Sequence, residues 1–232
     1  MTPELITVEM VLGWQLCYSD QAARALVGDG VTVEQGLALD IPDSDKMWCL
    51  LRPEFIEEPT LALLACRWAE SVLPAFERLH PDNPRPRRVI EVRRAHLRGE
   101  ATNRELRTAG RTIRWAVKPI VRSGDRGTGS NCAAEANAEM AEDAAIYAIE
   151  AVTQVSRRMA GTTMSTVESV ALVASDGAWI ADGSAELSAG IAARDAEEDA
   201  ITTMLADVRD VLSGMAVDDL PVRHLLPEEY YA

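Results

Sequence analysis

Between Pro59 and Lys118 the chain is punctuated so closely that three helices joined by two turns are almost the only structure open to it. Pro59-Thr60 opens a run in which Leu61, Leu64, Ala65, Trp68, Val72 and Leu73 recur at helical spacing, the mark of one broad buried face. Pro74 removes a backbone donor and predicts a kink, not a stop, because Phe76 and Leu79 keep the period. HPDNPRP then makes a rigid turn. Arg87–Arg98 reads as a second, amphipathic helix with Val89, Val92 and His96 inward, flanked by Ile90 and Leu97. Arg87, Glu91, Arg94 and Arg98 fall on its other side, where Glu91 can pair with arginines before or after it. Gly99 is a stop signal. Thr102-Asn103-Arg104-Glu105 has the form of a capping box, in which Thr and Glu satisfy each other's free amides. In the third helix Arg104, Arg107, Arg111, Arg114 and Lys118 make one cationic stripe, opposite Leu106, Ile113, Ala116 and Val117. Pro119 ends it.

The flanks follow the same grammar. Thr2-Pro3-Glu4 has the order of a helix start, with Leu5, Val8, Val11 and Leu12 at helical spacing behind it. A helical pattern continues to Val27 and is stopped by Gly28-Asp29-Gly30. Thr32 can cap a short helix closed by Pro42, and Ser44 starts another that Pro53 ends. After the loop-like SGDRGTGSN (Ser123–Asn131), Asn131 can cap an Ala-rich helix to about Arg158, with Met140, Ala144, Tyr147, Ala151 and Val155 inward. Ser165–Ala181 is read as helical, although VESVALVA is β-branched enough for a strand. Ser184 caps a final long helix to Leu212, with Ile191, Met204, Leu205, Val208 and Leu212 as its apolar positions. Together these signals predict an all-α fold: a single domain of seven to nine helices over residues 1–216, followed by an extended tail over residues 217–232.

Composition agrees with close-packed helices, since aromatics are only 5% of the chain and Ala, Leu, Val and Met supply the bulk. No apolar run reaches the length of a membrane span, and Met1–Leu12 lacks the pattern of a secretion signal, so a cytoplasmic protein is the expectation. Cys17, Cys49, Cys66 and Cys132 show no close ligand spacing and read as reduced, partly buried thiols.

Chemistry is hard to place. GDRGTGS lacks the Lys-Ser/Thr ending of a phosphate-binding loop. Asp40, Asp43 and Asp45 lack the glycine and closing glutamate of a calcium loop. His80, His96 and His224 stand in unrelated contexts, and no Ser or Cys occupies a nucleophile motif. No catalytic residue, metal site or cofactor is assigned.

Charge is more informative. The formal net charge is −14, yet residues 85–126 carry 13 basic and 4 acidic groups, between two acidic flanks. The cationic stripe, Arg104, Arg107, Arg111, Arg114 and Lys118, therefore has two readings: an internal counter-charge for the acidic helices, or a nucleic-acid face releasing counterions from phosphates. The strong negative charge elsewhere and the lack of interleaved aromatics favour the first. The acidic positions of the last helix, Asp195, Glu197, Glu198 and Asp199, either confer solubility or capture a basic partner.

The stretch Arg67–Thr102 resembles the signature region of immunity proteins of bacterial polymorphic toxin systems. The matching pieces are Val72-Leu73-Pro74, Phe76-Glu77, Pro81-Asp82, Pro84-Arg85-Pro86-Arg87, Ile90-Glu91, Arg94 and Arg98-Gly99-Glu100, and the lead-in segments VTVEQGLA and DSDKMW also resemble the family. The chain departs from the pattern at His96, where an aromatic is usual, and in its arginine-loaded third helix. The resemblance implies an all-α fold, no catalysis, and inhibition of a cognate toxin by binding. The expected partner is a protein, toxin-like and basic, with nucleic acid as the alternative for a regulatory or phage-type protein. No membrane partner is expected, and a homodimer is compatible with the pattern.

Overall fold

The computed structural model describes residues 5–14, 18–117, 167 and 186–225. Within them the chain forms α1 (Val8–Gly13), α2 (Asp20–Val27), α3 (Val33–Leu37), α4 (Asp43–Leu50), α5 (Glu58–Ser71), α6 (Leu73–Leu79), α7 (Arg85–Leu97), α8 (Asn103–Val117) and α9 (Glu186–Leu212), then a 3-10 turn at Val217–Asp219. Among the described residues there is no strand, only one antiparallel bridge between Ile6 and Val31. The fold is all-α.

Local chemistry sets most of the helix starts. The Ser19 hydroxyl accepts from the Ala22 amide at 3.2 Å to open α2. Thr32 and Gln35 make a full capping box on α3, at 3.2 and 2.8 Å. Thr102 and Glu105 do the same on α8, with the Thr102 amide donating to Glu105 at 2.7 Å and the Glu105 amide to Thr102 at 3.2 Å. At the end of α7, Gly99 sits at φ +78°, and the amides of Gly99 and Glu100 return to the carbonyls of His96 and Ala95 at 3.0 and 2.8 Å. These are the paired bonds of a left-handed helix stop.

Besides the start of α7 at Arg85 and not Arg87, four features differ from expectation. The first helix begins after Thr7, whose hydroxyl accepts from Met10, because Ile6 is extended and exchanges backbone hydrogen bonds with Val31 at 2.7 and 3.1 Å. Gly30 permits this pairing: it has φ +129°, and a Cβ there would stand 3.2 Å from the Leu5 side chain. The start expected at Thr2-Pro3-Glu4 lies outside the described residues. Next, α4 begins at Asp43 with Pro42 as its cap, one residue before Ser44. Further on, α5 and α6 are separate helices broken at Val72, two residues before Pro74. A proline cannot donate to the carbonyl four residues back and clashes with it, so the ladder is interrupted rather than bent.

The fourth difference is the phase of α7. Its buried residues are Pro86, Val89, Ile90 and Arg93, and Val92 is half-buried. The inward face is therefore rotated from the expected Val89–Val92–His96 line. The ring nitrogen Nδ1 of His96 donates instead to the Ala101 carbonyl at 2.9 Å, securing the turn into α8.

One core gathers these helices, and α5 lies at its centre. Leu61, Leu64, Ala65, Trp68, Val72 and Leu73 are buried as expected, and so are Ala62, Cys66 and Ala69. A helix apolar on more than one face has to be covered from more than one side. α7 packs against α5 and carries α8 on its far side, while α9 packs against α4. Met204, Leu205 and Val208 of α9 join the same core. Val217, Leu220 and Leu225 follow them in, so the non-helical residues after α9 lie against the bundle at these points. Val167 is helical and fully buried; the rest of the Ser165–Ala181 segment, the Ser123–Asn131 loop and the helix from Asn131 lie outside the described residues.

Candidate interaction surfaces

The ionic groups fall into a paired set that holds helices together and an unpaired set that faces water. The paired set is centred on Asp207, which is 2% exposed. Its carboxylate accepts from the Trp68 indole at 2.9 Å, lies 3.4 Å from Nε of Arg67, and pairs with Arg223. Arg223 also reaches Asp210 at 2.6 Å, and Arg67 donates to the carbonyls of Leu220 and Pro221. This cluster ties α5, α9 and the segment after α9 into one unit. A buried carboxylate so fully partnered serves register more than net stability.

A second group joins α5 and α6 to α7. Arg94 makes two bonds of 2.8 Å to Glu70 and one of 3.1 Å to Asp218. The hydrogen bonds to Glu70 hold its guanidinium above the usual range, despite opposing burial. Arg87 grips Glu77 in a fork at 2.9 and 2.8 Å. Arg88 bonds Glu91 at the i,i+3 spacing a helix allows, and Arg98 bonds Glu100 across the turn that ends α7. These arginines and carboxylates include the pieces on which the family resemblance rests, Glu77, Arg87, Glu91, Arg94, Arg98 and Glu100. Glu77–Arg87 joins α6 to α7 and Glu70–Arg94 joins α5 to α7, while Arg88–Glu91 and Arg98–Glu100 are local pairs.

The unpaired set is of two signs. On α8, Arg104, Arg107 and Arg111 are exposed, and none has an ion pair among the described residues. The side chain of Arg114 and the whole of Lys118 lie outside the described residues. Next to this stripe runs a groove of about 710 Å³ between α7 and α8, floored by Val89, Val92, Ala95 and Ala109 and rimmed by charges of both signs, Arg85, Arg88 and Arg104 with Glu91, Glu100 and Glu105.

On α9, Asp195, Glu197, Glu198 and Asp199 are all exposed and likewise carry no ion pair among the described residues. Glu197 and Glu198 line a groove of about 530 Å³ against the start of α4, together with Arg194, Asp43 and Thr202. The Thr202 hydroxyl donates to Asp43 at 2.9 Å and Lys46 donates to it at 2.9 Å. Burial would push the Asp43 carboxyl up, and these two hydrogen bonds outweigh it and hold the group below the ordinary carboxylate range. Sequence reading missed Asp43 and Thr202 as part of this surface. The only signal was the acidic lead-in DSDK.

Reactive chemistry is not favoured at the described thiols. Cys66 is buried, which pushes its thiol up to about 12, and burial pushes Cys49 up to about 11. Both are the opposite of an activated nucleophile. Cys17 and Cys132 lie outside the described residues. Among the described residues no group of three or more His, Cys, Asp and Glu could hold a metal ion, and no helix is long and apolar enough to cross a membrane.

Residues 55–169 match the family model of the Imm-5 like putative immunity protein. Over that stretch the chain is similar to the Imm-5 like family. The matched stretch starts at the end of the α4–α5 connection and takes in α5 to α8, so the Glu70–Arg94 and Glu77–Arg87 pairs are internal to the Imm-5 like segment. The Asp207 cluster instead joins that segment to residues beyond it, whereas the α9 contacts with α4 join two elements that both lie outside it. No curated protein and no solved structure matches the chain.

Proposed function

We propose that this protein is a non-enzymatic binding protein of immunity type, which neutralises a cognate toxin by occluding it with the acidic face of α9. The supporting observation is that Asp195, Glu197, Glu198 and Asp199 are exposed and without ion pairs among the described residues, with Glu197 and Glu198 on the rim of the α4–α9 groove. Unpaired carboxylates on a rigid helix present a fixed field to a basic partner; such complementarity raises the association rate and selects against wrong partners. The Imm-5 like segment supports a protein partner of toxin type. Within it Glu70, Glu77, Arg87 and Arg94 pair across helices, while Arg104, Arg107 and Arg111 of α8 have no ion pair among the described residues.

The test is co-expression with the protein encoded by the neighbouring reading frame. A stable one-to-one complex is expected, with Glu197→Lys and Glu198→Lys together weakening it by tenfold or more, chiefly through slower and less salt-dependent association. A complex indifferent to that double variant would move the surface elsewhere, and absence of a complex with a folded neighbour would sink the reading.

The alternative, a nucleic-acid-associated regulatory protein, draws support from the exposure of Arg104, Arg107 and Arg111. It requires salt-dependent duplex binding that Arg107→Ala with Arg111→Ala abolishes.

A further inference from the structure

Arg52 belongs neither to the charges that pair across helices nor to those that stand fully in water. It is half-buried just beyond the end of α4, where its carbonyl accepts from the amides of Phe55 and Ile56 at 3.0 and 2.9 Å. Its side chain is fixed as well. Nε donates to the Trp48 carbonyl at 3.0 Å, and the guanidinium carbon stands over the rings of Trp48 and Trp14, 5.0 and 5.4 Å from their centres. Phe55 meets Trp14 edge-on at 5.9 Å and completes the cluster.

Two donors of this cluster lack an acceptor. Nη2 of Arg52 and the indole Nε1 of Trp48 are both covered, and neither has a hydrogen-bond partner among the described residues. Arg52 has no ion pair there either. Burial pulls its guanidinium below the usual range, opposed only through space by Cys49 and Glu54. Covered donors without an acceptor cost stability, and a covered charge without a counter-charge costs more. Stacking on the indoles offsets part of this for the cation, but it satisfies neither N–H. The side chain is already ordered, so a ligand that supplies the acceptor loses little to ordering it.

The ligand class follows from charge and surroundings. A single guanidinium with Glu54 nearby, in a chain of −14, matches one negative charge better than a phosphate dianion. A carboxylate brings two coplanar oxygens to the guanidinium fork. Trp14, Trp48 and Phe55 offer apolar surface to the group that carries it.

We propose that Trp14, Trp48 and Arg52 form a binding site for a monocarboxylate with an apolar stem, held by the Arg52 fork and the Trp48 indole N–H. Trp14, half-buried at the end of α1, is the side chain that turns aside to admit it. A glutamate side chain of another protein and a free organic acid present the same chemistry. The site shares no residue with the acidic row of α9, so the inference goes beyond the immunity reading and does not rest on it.

Titration of the full chain with sodium benzoate, against matched sodium chloride, tests this through the indole N–H signals in a proton–nitrogen correlation spectrum. Trp48→Phe assigns its own signal by removing it. A saturable downfield shift of the Trp48 N–H is expected, half-complete at about 10 mM or less. Arg52→Met should weaken binding about tenfold or more, and Arg52→Lys nearly as much, because an ammonium cannot make the fork. Should Arg52→Met fail to fold, Arg52→Lys, which keeps the charge and the stem, carries the same comparison. A glutamate blocked at its amino and α-carboxyl groups separates the sources: saturation at concentrations like those of benzoate assigns the site to a protein side chain, and saturation by benzoate alone assigns it to a free acid. No saturable shift with either acid, an equal shift in the folded arginine variants, or inorganic phosphate saturating the signal at lower concentration than benzoate would overturn the proposal. The immunity reading is tested on α9, so either result stands without the other.

Discussion

Trp68 and Asp207, 139 positions apart, meet in the core, where the indole N–H donates to the carboxylate at 2.9 Å. Arg67 and Arg223 approach the same carboxylate from its wetter side, with about a quarter of their side chains exposed. The pair therefore fixes how α9 lies against α5. A buried carboxylate with fewer partners would be too costly to keep ionised.

Asp207→Ala is expected to cost roughly 3 kcal/mol, the low end for breaking a buried pair because both arginines still reach water. Asp207→Asn keeps an acceptor for Trp68 and should cost less. Urea unfolding followed by tryptophan fluorescence measures both. A loss for Asp207→Ala below about 1 kcal/mol would mean that the cluster does not hold α9 in place.

The two capping boxes give a local test. Thr102→Ala and Thr32→Ala should each cost about 1 kcal/mol, and the Ser variants much less, since a serine hydroxyl can accept the same amide bond. For Thr102 the loss should show first as faster amide exchange in the opening turn of α8, which packs mainly on α7. Unchanged exchange in Thr102→Ala would argue that packing on α7, and not the cap, sets the start of α8.

The ion pairs should rank by geometry and exposure. A double-mutant cycle on Glu70 and Arg94 is expected to give a coupling of about 1 kcal/mol, because the fork is bidentate and Arg94 is largely covered. Glu77 with Arg87, more exposed, should give about half of that. Arg98 with Glu100, both well exposed, should give nothing measurable. Equal couplings at all three sites would contradict this order.

The thiols predict alkaline sensitivity. Burial raises Cys66 to about 12 and Cys49 to about 11, against an unperturbed 9.0. Between pH 9 and about 11–12 the folded chain therefore keeps protons that the unfolded chain releases, so stability falls as pH rises through that window. Urea midpoints should drop over this range, and Cys66→Ala should flatten the slope at some cost in overall stability. Iodoacetamide at pH 8, mapped by mass spectrometry, should spare Cys66 in the native state. Ready native labelling of Cys66 would show that the core around α5 opens.

What could be read along the chain was whatever is written within a few residues. Thr32 with Gln35, Thr102 with Glu105, and Gly99 announce helix ends because their bonds span three to five positions. The buried face of α5 was legible for the same reason: its apolar residues repeat within one helix. The phase of α7 was not. Apolar residues alone pointed to Val89, Val92 and His96, whereas the helix buries Pro86, Val89, Ile90 and Arg93, with Arg94 reaching Glu70 and Arg87 reaching Glu77. The start of α1 was misplaced because Val31, far along the chain, holds Ile6 extended.

The candidate surfaces divide in the same way. Sequence spacing alone placed Arg104, Arg107 and Arg111 on one line and gave Asp195, Glu197, Glu198 and Asp199 as the acidic positions of the last helix. It could not say which cations of the basic block are consumed and which remain. That depended on which carboxylates the packing brings near: Glu70, Glu77 and Asp218 come to α7, and among the described residues none comes to α8. The sequence by itself determined the helices, their caps and an Imm-5 like segment, because hydrogen bonds and apolar periodicity act over short distances along the chain. The tertiary structure decided that Asp207 is buried, that Arg87 and Arg94 pair with carboxylates of α6 and α5, and that the arginines of α8 and the acids of α9 have no ion pair among the described residues. Those outcomes follow from burial and Coulomb attraction, which depend on distance in space and not on separation in the chain.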